Sequence, residues 1–121
     1  MTQTLVVDAA NVVGSRPDGW WKDRAGAARR LHEALLVADT SYDEIVLVLE
    51  GRAKGGVKAG RDGHVRTVHA KGSGDDTILA EARAAAARGR VVVVTADRML
   101  QARVGGVGAQ TLGPSWLLDQ L

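Results

Sequence analysis

The chain has 121 residues, 45% of them apolar and 25% charged, with 16 basic residues against 14 acidic ones for a net charge of +2. This length predicts one domain spanning residues 1–121, large enough to bury about two-thirds of the surface of its extended chain, and this composition excludes a disordered polymer. The absence of cysteine excludes a disulfide scaffold, a zinc ribbon and a thiol nucleophile, and no apolar run approaches the ~20 residues that cross a bilayer.

In chain order, MTQTLVVD carries no basic leader segment, so a cytoplasmic protein with no membrane partner is expected. Residues 4–8 (TLVVD) read as a buried strand. Residues 23–38 read as a helix with Ala28, Leu31, Leu35 and Ala38 on one face. A second apolar run covers 44–49 (EIVLVL), and 64–68 form a weaker strand. Residues 75–88 predict a helix stopped by Gly89 just past its end. Residues 90–95 (RVVVVT) give the clearest strand of all. A short helix over 97–103, a short strand over 109–112 and a last helix over 115–121 complete the chain. Strands that are apolar throughout and joined through helices form a parallel sheet covered on both faces. The expected architecture is a Rossmann-like three-layer α/β/α sandwich with a central, mostly parallel sheet of about five strands. Gly105, Gly106 and Gly108 follow a helix, whereas the dinucleotide fingerprint follows a strand, so no nucleotide cofactor is expected.

Ligands of such sheets bind outside the carboxyl ends of the strands. Asp8 ends the first strand, with Asn11 just beyond it, and Glu50 ends the second. Ser73, Asp75 and Asp76 open a helix, and Asp97 follows the strongest strand. Five of the 14 acids therefore converge on one edge. Ser73, Asp75 and Asp97 are also ordinary helix N-cap types, and Asp8 can close a turn with Asn11. Yet a carboxylate directly after a buried Leu-Val-Val run is costly without a partner, and two successive acids exceed what one cap needs. An all-oxygen cluster suits a hard divalent ion, Mg2+ or Mn2+.

Four segments in order, VDAANVVG, LEGRAKGG, KGSGDDTI and VTADRMLQ, resemble the NYN domains of the PIN-like nuclease superfamily, in particular the YacP-like branch. The resemblance implies a Rossmann-like fold and metal-dependent cleavage of RNA. By position it makes Asp8, Asp76 and Asp97 the metal-binding acids with Asp75 as neighbour, and Asn11 the Asn of a D-x-x-N motif. Glu50 stands where relatives usually carry Asp, as a further candidate ligand, and Ser73 where an acid is common. The implied catalytic set is Asp8, Asn11, Asp76 and Asp97, and no histidine base is needed. His32 is expected on a helix surface, and His64 and His69 on opposite faces of an extended segment.

Residues 51–71 hold six cations, Arg52, Lys54, Lys58, Arg61, Arg66 and Lys71, against one acid, Asp62, which suggests a polyanionic partner. Because this strip follows the second strand, Arg52 and Lys54, with Lys58 beyond, are placed to grip RNA phosphates. Gly51, Gly55 and Gly56 would allow backbone to approach the strand closely. Trp20 and Trp21 lie in the loop after the first strand, where stacking on unpaired bases and packing of the loop are both open. Two enzyme alternatives fail on residues: a D-x-D phosphohydrolase needs an acid where Ala10 stands, and the acid order of a receiver domain is not met. A catalytically silent RNA- or partner-binding module on the same fold remains the alternative. An oligomer is compatible with this sequence.

Overall fold

Three strands with unbroken aliphatic runs lie side by side at the middle of the sheet. In the computed structural model, which describes residues 2–121, these are β1 (Thr2–Asp8), β2 (Glu44–Leu49) and β5 (Gly89–Val94), with β1 paired parallel to both others. Their side chains are buried on both faces, and for that reason their apolar runs are continuous rather than alternating. Outside them lie β4 (Val65–His69) and β3 (Gly60–Asp62) on one side and β6 (Gln110–Leu112) on the other, giving the order β3-β4-β2-β1-β5-β6. Every pairing is parallel except β3 with β4.

Period-two alternation divides the core into two layers. Leu5, Val7, Leu47 and Val94 face one way and meet Val12, Leu31, Leu35 and Leu117. These come from α1 (Ala9–Gly14), α2 (Arg24–Val37) and α5 (Pro114–Asp119). Val6, Val46, Val91 and Val93 face the other way and meet Ile78, Ala82, Leu100 and Val104. These belong to α3 (Gly74–Ala86) and α4 (Arg98–Gly105). The result is the expected α/β/α sandwich. No helix among the described residues is long and apolar enough to cross a membrane.

Several local expectations change. The sheet has six strands rather than five. The extra one, β3, has the sequence Gly-Arg-Asp and is exposed along its length, so it has no apolar signature. A helix, α1, begins directly after Asp8 in place of the expected loop, because the Asp8 side chain caps it. Residues Gly51–Gly56 form a 3-10 helix seated on α2, and a Cβ at Gly56 would lie 1.9 Å from the Ala25 carbonyl oxygen. The close approach that glycine permits there is thus to α2 rather than to a strand. Gly89 is the first residue of β5 and does not cap α3, whose last turn is closed by Arg88 N–H donating to Ala85. His32 is buried, at 9% exposure, rather than on the surface. The His64 and His69 Nε2 atoms donate to the carbonyls of Leu35 and Val57, which gives both structural partners.

The chain runs outward from β1 to β2 and on to the edge strand β3, turns back to β4, then returns to β5 on the far side of β1. The carboxyl ends of β1 and β5 therefore flank the switch point where an open α/β sheet forms its crevice.

Candidate active site

Asp8 closes β1 at that switch point with only 4% of its surface exposed. Its Oδ2 accepts from Asn11 Nδ2 and from Thr95 Oγ1, each at 2.9 Å, and its Oδ1 accepts from the Asn11 backbone N–H at 3.4 Å. Burial raises its carboxyl pKa; the Thr95 and Asn11 hydrogen bonds oppose that rise, and the charges of Glu50 and Asp75 add to it.

Thr95 follows β5, is fully buried, and ties two acids together. Its hydroxyl donates to Asp8 and accepts from the Asp97 N–H at 3.1 Å. Asn11 adds a second tie, since its Oδ1 accepts from the Ala96 N–H at 3.1 Å. The ends of β1 and β5 are thereby latched by side chains. Thr95 is a site residue that motif reading does not single out. The available signal is a hydroxyl ending a Val-Val-Val-Val run, since such a buried group needs a partner.

Asp97 is the N-cap of α4, and its Oδ1 accepts from Met99 N–H at 2.9 Å and Leu100 N–H at 3.1 Å. Glu50, directly after β2, reaches across to α3, where its Oε2 accepts from the Gly74 N–H at 2.9 Å. Ser73 occupies the N-cap position of α3 but makes no side-chain cap bond, so Glu50 takes over that duty. Asp75 lies in the first turn of α3. Its pKa is raised by partial burial first, then by repulsion from Asp97, Glu50 and Asp76, with Arg103 opposing. Asp76 faces out: its side chain is 87% exposed and accepts from Arg103 at 3.1 Å.

The acids that act on one another are thus Asp8, Glu50, Asp75 and Asp97, with Asp76 acting on Asp75 from their outer flank. Among the described residues no three acidic or histidine side chains close on a point as a ready-made cage. The donors do fit a hard ion of the Mg2+ type, which keeps several waters and needs only one or two carboxylates. Burial first, and repulsion from neighbouring acids after it, raise the proton affinities of Asp8 and Asp75, and a cation held there would offset both.

The basic strip divides. Arg61 and Arg66 pair with Glu44, and Arg66 also with Glu81. Glu44 opens β2, so these cations lie at the opposite end of the sheet from the acids. At the carboxyl end remain Arg52 and Lys71, which are exposed, and Lys54, whose Nζ donates to the Ala70 carbonyl at 2.8 Å. Lys58 is exposed further along, near Arg61 and His32. Trp20 and Trp21 occupy a 3-10 turn (Trp20–Lys22) with their rings edge to face, centroids 6.0 Å apart. Trp21 is 56% exposed, whereas Trp20 lines a cleft with Ala9, Ala10, Arg24 and Glu50 beside the acids.

No protein-family model matches this chain, and no curated protein matches it in sequence. Among solved structures, Rae1 (YacP) from Bacillus subtilis matches with a TM-score of 0.72 at 20% identity, over 98% of this chain and 74% of that one. The chain therefore shares the fold of that YacP structure.

Proposed function

We propose that this chain is a ribonuclease that hydrolyses RNA phosphodiester bonds with a carboxylate-held Mg2+ or Mn2+. The observation that carries the reading is the buried Asp8 carboxylate at the sheet's switch point, repelled by Glu50 and Asp75. A carboxylate costs least there when a cation completes its surroundings, and the resemblance of the four sequence segments to YacP-like NYN domains implies the same chemistry.

Asp8, Asp75 and Asp97 would hold the ion, with Glu50 at the margin. Such an ion, when bound, supplies polarisation of a phosphoryl oxygen and a more acidic water. The rest falls to the chain. Asn11 and Thr95 fix the Asp8 carboxylate by hydrogen bonds to Oδ2, so its orientation is set before substrate arrives. Asp97 spends Oδ1 on the α4 cap, and its Oδ2 would be the oxygen offered to an ion. Arg52 and Lys54 lie on the segment after β2, where they would hold phosphates without reading bases. The resemblance nominates Asp76, but its exposure and pairing with Arg103 favour Asp75 as the closer ligand.

The second reading, a catalytically silent RNA-binding module, is favoured by one observation, the lack of a three-acid cage among the described residues. The deciding experiment is cleavage of end-labelled single-stranded and structured RNA in Mg2+, Mn2+ or EDTA, by the wild-type protein and by Asp8→Asn. Metal-dependent cleavage lost in Asp8→Asn supports the nuclease. RNA binding with no cleavage in either metal supports the silent module.

A further inference from the structure

Beside the acids lies a cleft of about 330 Å³ that the proposed hydrolysis does not use. Short aliphatic side chains line it, Ala9, Val13, Ala28 and Ala53. Its wall is the Trp20 ring, with the Arg24 guanidinium 5.3 Å from the ring centroid. Its rim carries Glu50, the same residue whose charge acts on Asp8. Cleft and acid cluster thus share a side chain, and the lining begins with the residue directly after Asp8.

The chemistry of the lining narrows the occupant. Arg24 lies over the Trp20 ring as a cation on a π system, and the part of the ring that lines the cleft is suited to a flat π system. Arg24 offers only donors and Glu50 only acceptors, so the matching edge carries both acceptors and N–H donors, as nucleobase edges do. The volume lies at the lower end of small-ligand sites, enough for one ring system and too little for a paired duplex. Sharing Glu50 with the acids puts such a base next to a phosphodiester held there.

We infer that this cleft takes one unpaired nucleobase of the RNA, stacked on Trp20 beside the scissile phosphate, and so selects single-stranded substrate. The inference rests on the nuclease reading for the nature of the polymer. A base inside a duplex has its faces stacked and its edge paired, so it cannot enter.

The test measures binding, with no need for turnover. A labelled single-stranded RNA hexamer, the same hexamer with one abasic position, and a fully paired duplex are titrated in EDTA by fluorescence anisotropy. The single strand should bind best, and the abasic hexamer and Trp20→Ala should each weaken binding by roughly 5- to 150-fold, the range for one base stacked on one aromatic ring. Trp20→Phe should keep most of the affinity, and Trp20→Leu should lose it. That pair decides the matter if circular dichroism shows Trp20→Ala misfolded. Equal affinity of folded Trp20→Leu and Trp20→Phe, or of wild type for duplex and single strand, overturns the inference. The two readings separate cleanly. Metal-dependent cleavage unaffected by Trp20→Leu refutes the cleft and keeps the nuclease, whereas Trp20-dependent binding without any cleavage refutes the nuclease and keeps the cleft.

Discussion

Replacing Asp8 by Asn separates a metal ligand from a helix cap. In the absence of metal the substitution removes a charge from a position that is 4% exposed and repelled by Glu50 and Asp75, which is stabilising. It also weakens charge-assisted bonds from Thr95 and Asn11, each worth about 1.5–3 kcal/mol, although the Asn oxygen can still accept from Thr95. The two effects oppose, so melting in EDTA at neutral pH should differ from wild type by no more than about 1 kcal/mol, or about 4 °C. The pH dependence follows from the direction of the shift. A carboxyl whose folded pKa exceeds its unfolded value of 3.8 penalises the fold fully above the folded pKa. The penalty shrinks as pH falls through the folded pKa and is absent below 3.8. Any stability advantage of Asp8→Asn should therefore diminish on acidification. With Mn2+ at a hundredfold excess over Kd, wild type should gain about 2.7 kcal/mol, close to 10 °C for this length, and Asp8→Asn should lose most of that gain. Thermal melts in EDTA and across a Mn2+ titration read both effects. Equal Mn2+ shifts in the two proteins, or none in either, would refute the metal assignment. A collapse of Asp8→Asn in EDTA by more than about 3 kcal/mol would show that the side chain acts mainly as a cap.

Other perturbations bear on the neighbours. Asp75→Asn should reduce cleavage at least tenfold more than Asp76→Asn, because Asp75 faces Glu50 and Asp97 while Asp76 faces Arg103; initial rates on one RNA in Mn2+ compare them, and a larger loss in Asp76→Asn would reverse the assignment. Thr95→Val should cost about 1–3 kcal/mol, since it strands the Asp97 N–H and removes a donor to Asp8. Thr95→Ser should restore both stability and cleavage, and a Val variant as stable and active as wild type would show that the latch is dispensable. Arg52→Ala with Lys54→Ala should weaken RNA binding by similar factors across sequences and lower the salt slope by roughly 0.7 for each phosphate no longer neutralised. An unchanged slope would place the RNA elsewhere.

The layered fold is legible in this chain because the runs of β1, β2 and β5 are unbroken, short and rich in β-branched residues, which suits strands covered on both faces. The edge on which Asp8, Glu50, Asp75 and Asp97 gather follows from the same argument, since strand direction fixes which residues reach the carboxyl ends. What stays hidden is set by short or non-local contacts. The β3 strand is three exposed residues and shows no pattern. The α1 helix, AANVVG, is six residues of modest propensity that depend on the Asp8 cap. The basic strip reads as one feature in sequence, but Arg61 and Arg66 turn to Glu44 at the other end of the sheet, and only the fold says where Glu44 is. The choice between Asp75 and Asp76 is equally invisible, because adjacent helical positions differ by about 100° in direction and a resemblance at this distance does not fix which of them faces in.

Three of the acids around the site also serve helix beginnings: Asp8 caps α1, Asp97 caps α4, and Glu50 accepts from the first N–H of α3. Each helix presents the positive end of its peptide dipole there, equivalent to roughly half an elementary charge for a long helix. The backbone itself thus balances part of the carboxylate charge. A protein built this way can hold its acids together with no ion in place, so folding and metal occupancy are separable events. The same lone pairs that satisfy the helix ends would be withheld from a cation, so any ion bound there would exchange readily rather than form a permanent metal centre.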